Sequence, residues 1–359
     1  MSLLNEFTIK FLNDTINMNY MAGTADFPSE GLLLNFTDNS KYYPNHFVYN
    51  DSNTLYVITR YSLSDEDWQT DIDFHEVDVT FGNTTLKVHR GAYYSAQHVY
   101  QNTKKFMQQH NGRIIITGFS LGACVSSIMT PMALTDPDLA GKNIVTIALD
   151  GAPVMSYLPP EYTSKTFHFI NNVDLITTIS GQNLYDTYRE SIEAKNFKEK
   201  LIADVKAIKM ESVFFQTMYD LLMNNIDSLT ESMYSYHQDK NKLNLRYMWG
   251  TVLHIKKGVH YNFLNETVIN NTEINRVNVY EAAINDHSLW SLQVRLLRIG
   301  DSSISRMISF KLSIFIIICS IVVIALIALA VIAIYSCSKM KKMQKDQQLY
   351  SKLSSSFEH

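Results

Sequence analysis

The stretch "IIITGFSLGACVSSIMT", Ile114–Thr130, decides the fold. Its β-branched run, Ile114–Thr117, reads as a buried strand. The apolar, small-residue stretch after Gly122 reads as a helix, with Cys124, Val125, Ile128, Met129 and Met132 on one face. Between them lies Gly118-Phe119-Ser120-Leu121-Gly122. A serine with glycine two residues away on either side suits a sharp strand-to-helix turn. A side chain at either glycine would strike the neighbouring strand or helix. Such a turn pushes the serine Oγ out at the C-terminal edge of the sheet and aims backbone N–H groups at a developing oxyanion. The pentapeptide alone leaves the alternative open: a structural serine in a glycine-rich βα turn.

The alternation extends outward from this stretch. "TLYVITR" (Thr54–Arg60) reads as a strand. "LKVHRGAYYSAQHVYQNTKKFMQQ" reads as a short strand entering an amphipathic helix, with Tyr94, His98, Tyr100 and Phe106 near helical spacing. "NIVTIALDGAP" and "KTFHFINNVDLI" are further strands, the second ending at Asn171–Asp174. Repeated strand–helix alternation predicts an α/β fold with a mostly parallel sheet and helices on both faces. From about Ser180 to Tyr247 the pattern turns helical, with charged and apolar residues at helical spacing. Two or three inserted helices are expected there, spanning 180–247 and able to cap a pocket. The first residues, "MSLLNEFTIKFLNDTINMNY", lack the basic-then-apolar pattern of a signal peptide and read as the first helix of the domain.

A nucleophilic serine needs a base and an orienting acid, and in this class they follow it in the order acid, then histidine. Asp174 closes the strand after next, where a carboxylate lies along the same sheet edge. Asp150, just before Gly151-Ala152-Pro153, competes for the role. His260 in "GVHYNF" and His287 in "INDHSLWSL" are the candidate bases, and the loop-to-helix setting favours His287.

"KVHRGAY", "ITGFSLGA", "ALDGAPVMS", "FINNVD" and "NDHSLW" occur in an order and spacing similar to the class 3, fungal-type lipases. The resemblance covers roughly residues 15–300 and implies an α/β-hydrolase fold with the triad Ser120, Asp174 and His287. "TRYSLSDEDWQTDIDF" resembles the family's oxyanion and lid segment. That implies Ser62 and the Leu121 amide as oxyanion donors, and Trp68 as the lid tryptophan. "SLGA" and "GAPVMS" also resemble the diacylglycerol-lipase branch, which is membrane-attached. Three features depart from the family pattern. Phe119 stands where a histidine is usual, and Tyr61 where a glycine is usual. The lid, Ser64–Asp73, is acidic through Asp65, Glu66, Asp67, Asp71 and Asp73. An acidic lid face predicts repulsion from anionic headgroups and weak interfacial activation. Tyr61 predicts a constricted oxyanion hole.

With 359 residues, 46% of them hydrophobic, the chain has ample material for a core. A net charge of −4 gives no reason to expect a nucleic-acid partner. Of the three cysteines, Cys319 and Cys337 lie in or beside a C-terminal apolar run. Cys124 is left alone, which excludes an internal disulfide in the preceding domain and favours a reducing compartment. The run "LSIFIIICSIVVIALIALAVIAIY", Leu312–Tyr335, carries no charge over 24 residues. As a helix it reaches roughly 36 Å, enough for a hydrocarbon core of about 30 Å. Residues 1–305 are thus expected as the hydrolase domain, 308–336 as a single transmembrane helix and 337–359 as a short basic tail. Flanking lysines and arginines lean only slightly toward a cytoplasmic tail. The absent signal peptide and lone cysteine favour a cytosolic catalytic domain. Six Asn-X-Ser/Thr sequons, at Asn13, Asn35, Asn50, Asn83, Asn265 and Asn270, argue the other way.

These readings point to a membrane-anchored serine hydrolase of glycerolipid acyl esters, with a lipid ester as substrate and no cofactor or metal implied. A lipase-like protein without catalysis and a short-chain carboxylesterase are the alternatives.

Overall fold

The structure is a computed structural model. It describes residues 8–38, 40–157, 159–171, 174, 176–178, 180–207, 219–220, 222–238, 245, 248–255, 261–264, 287–289, 291–293 and 295. The segments 308–336 and 337–359, with Cys319, Cys337, His260, Asn265 and Asn270, lie outside these residues. Among the described residues, no helix is long and apolar enough to cross a membrane. Contacts divide the chain after Ile299, and everything below concerns the first unit.

Its centre is an eight-stranded sheet. In chain order the strands are β1 (Leu32–Phe36), β2 (His46–Asp51), β3 (Thr54–Thr59), β6 (Arg113–Phe119), β7 (Asn143–Leu149), β8 (Thr166–Asn171), β9 (Thr251–Ile255) and β10 (Tyr261–Leu264). A separate antiparallel hairpin holds β4 (Glu76–Phe81) and β5 (Thr84–His89). The sheet order is β1-β2-β3-β6-β7-β8-β9-β10. Pairing is parallel from β3 to β9 and antiparallel at both ends. This is the arrangement of an α/β hydrolase. The parallel strands β6, β7 and β8 are buried almost throughout, as strands covered on both faces must be.

Helices cover both faces. On one lie α3 (Arg90–Gln109) and α4 (Leu121–Thr135), packed with the hairpin around Ile114, Ile116, Val125 and Ile128. On the other lies α1 (Ile9–Thr24), packed through Leu12 and Ile16 with Ile115, Ile147, Leu289 and Leu292. The face of α3 differs from expectation. Its buried residues are small or slender, including Gly91, Ala92, Ser95, Ala96 and Val99, while Tyr94 is exposed. Small residues let α3 lie close to its neighbours, while Tyr93, Tyr100 and Phe106 are partly buried against the same cluster. Helix α4 is buried nearly all round rather than along one stripe.

The insertion falls between Asp174 and His287 and contains α6 (Gly181–Glu193), α7 (Phe197–Lys206) and α8 (Ile226–Gln238), with the one-turn helix α5 (Pro160–Thr163) preceding it. These inserted helices close around Phe197, Leu201, Leu229 and Met233. Their cluster reaches Ile72 and Phe74, just beyond α2 (Asp65–Asp71), and Trp68 packs against it from α2. Ser232 on α8 donates to the Ile72 carbonyl at 2.7 Å, and Ser235 Oγ lies 2.9 Å from His75 Nε2. The insertion is therefore fastened to the α2 segment by both apolar packing and hydrogen bonds.

Candidate active site

The strand ends bring the site together. Thr59 of β3 stands beside Gly118 of β6, and Phe119 beside Leu149 of β7. One residue past β6 the chain turns at Ser120, with φ 55° and ψ −121°. A non-glycine residue at such angles costs of order 1–3 kcal/mol and persists only where its surroundings enforce it. Two close approaches enforce it here. A Cβ on Gly118 would sit 2.1 Å from the Gly122 carbonyl carbon, and one on Gly122 would sit 2.1 Å from the Thr59 carbonyl oxygen. The Ser120 N–H is held by the Leu149 carbonyl at 3.0 Å, and the Ser120 carbonyl accepts from Ala123 and Cys124. As the first residue of α4, Leu121 has no acceptor within the helix for its own N–H, which leaves that group for a bound oxyanion.

Asp174 and His287 meet although 113 residues separate them: His287 Nδ1 and Asp174 Oδ2 lie 2.7 Å apart. Both residues are buried. The second carboxylate oxygen of Asp174 accepts from the Ile176 N–H at 2.7 Å, fixing the carboxylate plane. The competitor, Asp150, is also buried, but its Oδ1 accepts the Asn171 N–H at 2.6 Å, across the β7–β8 edge. Burial pushes the His287 imidazole down to about 4, against the pull of the Asp150 carboxylate. The ring is thereby kept neutral at pH 7 and able to take a proton.

Ser120 and His287 open onto one cavity of about 280 Å³. Tyr61, Ser62, Trp68, Asp71, Ile72 and Phe74 line one side of it, and Cys124, Ala152, Pro153 and Val154 also contribute. The lining is largely apolar, with few polar groups, as suits an acyl chain.

Ser62 reaches this cavity, and its Oγ lies 2.5 Å from Asp71 Oδ2. In sequence Asp71 reads only as one acid of an acidic lid, with nothing that marks its contact with Ser62. Only the nine-residue interval between them hinted at it, and an interval carries no geometry. Burial pushes the Asp71 carboxyl up to about 8, the Asp67 charge adding to the rise and the Ser62 hydroxyl opposing it.

The acidic lid is corrected more widely. Asp67 is buried and accepts from Arg60 at 2.9 Å and from the Leu63 and Ser64 N–H groups. Asp73 is buried and accepts from Arg90, Tyr42 and His75. Asp65 is exposed. Three of the five acids thus face inward, because each has a donor on a neighbouring element that a one-dimensional charge count does not show. Trp68 lines the cavity from α2. Tyr61 also borders the cavity, with its ring edge-on to Phe119.

A strained serine on a strand-to-helix turn, beside a buried His–Asp pair in an apolar cavity, defines a serine-type ester hydrolase. Residues 56–184 match the family described as lipase (class 3). That segment holds Ser62, Trp68, Ser120, Leu121 and Asp174. The protein is a carboxylic ester hydrolase of the lipase type. No curated protein matches the chain. Among solved structures, the triacylglyceride lipase of Rhizomucor miehei is similar at 18% identity, over 49% of this chain and 74% of that one, with a TM-score of 0.37. Lip2 lipase from Yarrowia lipolytica is similar at 14% identity, over 50% and 76%, with a TM-score of 0.40. A triacylglycerol lipase from Penicillium expansum is similar at 21% identity, over 48% and 72%, with a TM-score of 0.36.

Proposed function

We propose that this protein is a membrane-anchored serine hydrolase that cleaves acyl esters of glycerolipids through an acyl-enzyme. The observation that carries the reading is the His287–Asp174 pair opening, with Ser120, onto an apolar cavity. Ser120 Oγ attacks the ester carbonyl while His287 takes its proton. Asp174 holds the ring with Nδ1 protonated, so that Nε2 is the basic nitrogen, and stabilises the imidazolium. The Leu121 N–H and Ser62 receive the oxyanion. His287 returns its proton to the leaving glyceride alcohol, and the acyl group stays on Ser120. Water, deprotonated by His287, then releases the fatty acid and restores the serine. The uncharged run Leu312–Tyr335 supports anchorage, which would keep the cavity near its lipid substrate.

The test uses the full chain in membranes and a fluorophosphonate probe, which phosphonylates activated serines. Labelling is expected in wild type and lost in Ser120→Ala, with the labelled chain retained in the pellet after an alkaline carbonate wash. Well-folded wild type that takes no label would overturn the catalytic reading. Release into the supernatant would overturn the anchorage.

A further inference from the structure

Both departures around the nucleophile belong to one stack of side chains. The Phe119 ring lies face to face with the His287 imidazole, centroids 4.6 Å apart and planes 23° from parallel. The Tyr61 ring stands edge-on to the other partner, Phe119, at 5.6 Å and 81°. Beyond Tyr61 lies α1, where Gly23 leaves the space: a Cβ there would fall 2.3 Å from the Tyr61 hydroxyl oxygen. Phe119 is 5% exposed and packs in one cluster with Leu289 and Leu292, the residues that carry the His287 segment into the core. Gln293 fastens that segment to α1 through Asn13 and Asn17, at 2.7 and 3.0 Å.

We propose that Phe119 and Tyr61 are positioning residues that hold the His287 ring in its working plane, Phe119 by face contact and Tyr61 by bracing Phe119 against Gly23. The inference rests on the reading of Ser120, His287 and Asp174 as a triad. Its physical basis is mechanical. The hydrogen bond from Nδ1 to Asp174 fixes one edge of the imidazole but leaves the ring free to tip about that edge. Nε2 sits at the far edge, so a small tip carries it away from Ser120 Oγ. A flat ring against the imidazole face opposes that tip over its whole area, whereas a branched aliphatic chain touches it at a few points. Tyr61 then has a reason for its size: a glycine in its place would leave Phe119 unsupported on the side away from His287.

The test compares Phe119→Leu, which keeps an apolar side chain, with Phe119→Tyr, which keeps the flat face. Each is assayed in the full-length membrane protein for the rate of fluorophosphonate labelling and for kcat and KM on a diacylglyceride. Misplacement of a reacting group by about 1 Å can cost roughly 10²-fold. Phe119→Leu is expected to lower kcat and the labelling rate together by about 10- to 100-fold, with KM within about twofold. Phe119→Tyr should recover most of that loss, which a simple packing role would not produce. Tyr61→Leu should lower kcat by a smaller factor, and adding it to Phe119→Leu should cost less than the product of the two, since one brace serves the other. A folded Phe119→Leu that labels at the wild-type rate overturns the clamp while leaving the triad intact. Absent label on folded wild type overturns the triad and the clamp with it. Should Phe119→Leu fail to fold, Tyr61→Leu carries the test, and an unchanged kcat in that variant overturns the proposal.

Discussion

Ser62 and Asp71 form a pair whose protonation decides what the hydroxyl can do. When Asp71 is ionised, the Ser62 O–H donates to it across 2.5 Å and is occupied. When Asp71 is neutral, its own O–H can donate to Ser62 Oγ, and the Ser62 proton turns to a substrate oxyanion. Burial raises the Asp71 carboxyl to about 8, so the neutral form prevails at pH 7. If Ser62 is the oxyanion donor proposed above, that donor is withdrawn as pH rises through this value. The expected outcome is a fall in kcat above about pH 8, bounded by the 10²- to 10³-fold worth of one oxyanion donor. In Asp71→Asn, the amide N–H₂ takes the donor role at every pH, and this descending limb should vanish. A kcat profile from pH 6 to 10 on both proteins checks it. A limb unchanged in Asp71→Asn would remove Asp71 from this role. Ser62→Ala should lose the same donor outright and show no such limb.

At the scale of elements, α2 is a clasped helix. Ser64 caps it, accepting from the Asp67 N–H while the Asp67 side chain accepts from the Ser64 N–H. The same Asp67 carboxylate receives Arg60, and both side chains are largely withdrawn from water. Removing one member strands the other charge, a loss of about 3–5 kcal/mol where a buried pair is broken. Asp67→Ala should therefore cost about that much in denaturant unfolding, with loosening of α2 visible as faster amide exchange over 64–72. A cost below about 1 kcal/mol, that of an exposed pair, would contradict the burial. Because α8 is fastened to the Ile72 carbonyl and to His75, α2 and the insertion form a common roof. The acids on α2 brace this roof, so repulsion from anionic lipid rests mainly on Asp65 and Glu66.

At the scale of the whole molecule, four histidines are buried among the described residues, His46, His89, His168 and His287, and burial pushes their rings down to about 4. Unfolded imidazoles bind a proton near pH 6.5, so between about pH 6.5 and 4 the unfolded chain holds more protons at these sites. Stability from them is complete above about 6.5 and is lost as pH falls through that window. Asp71 acts with the opposite sign, since its folded carboxyl stays protonated up to about 8 while the unfolded one ionises near 4. The net excess is about three protons, which gives a slope on the order of 3–4 kcal/mol per pH unit in the middle of the window. Urea midpoints at pH 7.5, 6 and 5 should fall steeply over the last interval. A flat profile would show that these rings are protonated in the folded state.

Sequence alone determined the local grammar: the strand–turn–helix at Ser120, the order Ser120, Asp174, His287, and the helical insertion between the last two. These are legible because side-chain periodicity and backbone permissiveness are properties of short stretches. Gly118 and Gly122 are required by atoms that the turn itself brings close, so their spacing could be read directly. Of the β4–β5 hairpin only β5 is read from the sequence, although Val77, Val79 and Phe81 alternate with polar residues in β4; the short strands β1 and β2 lack a clear period. The roles of Asp67, Asp71 and Asp73 were not legible, because a charge reads as solvated until its donor is known. Arg60, Arg90 and Ser62 reach those carboxylates only when loops and helices have packed. Tyr61 is the sharpest case: in one dimension it is a bulky intruder at the oxyanion wall. Its fit depends on a glycine 38 residues earlier and on a ring 58 residues later, and only the tertiary structure brings those contacts together.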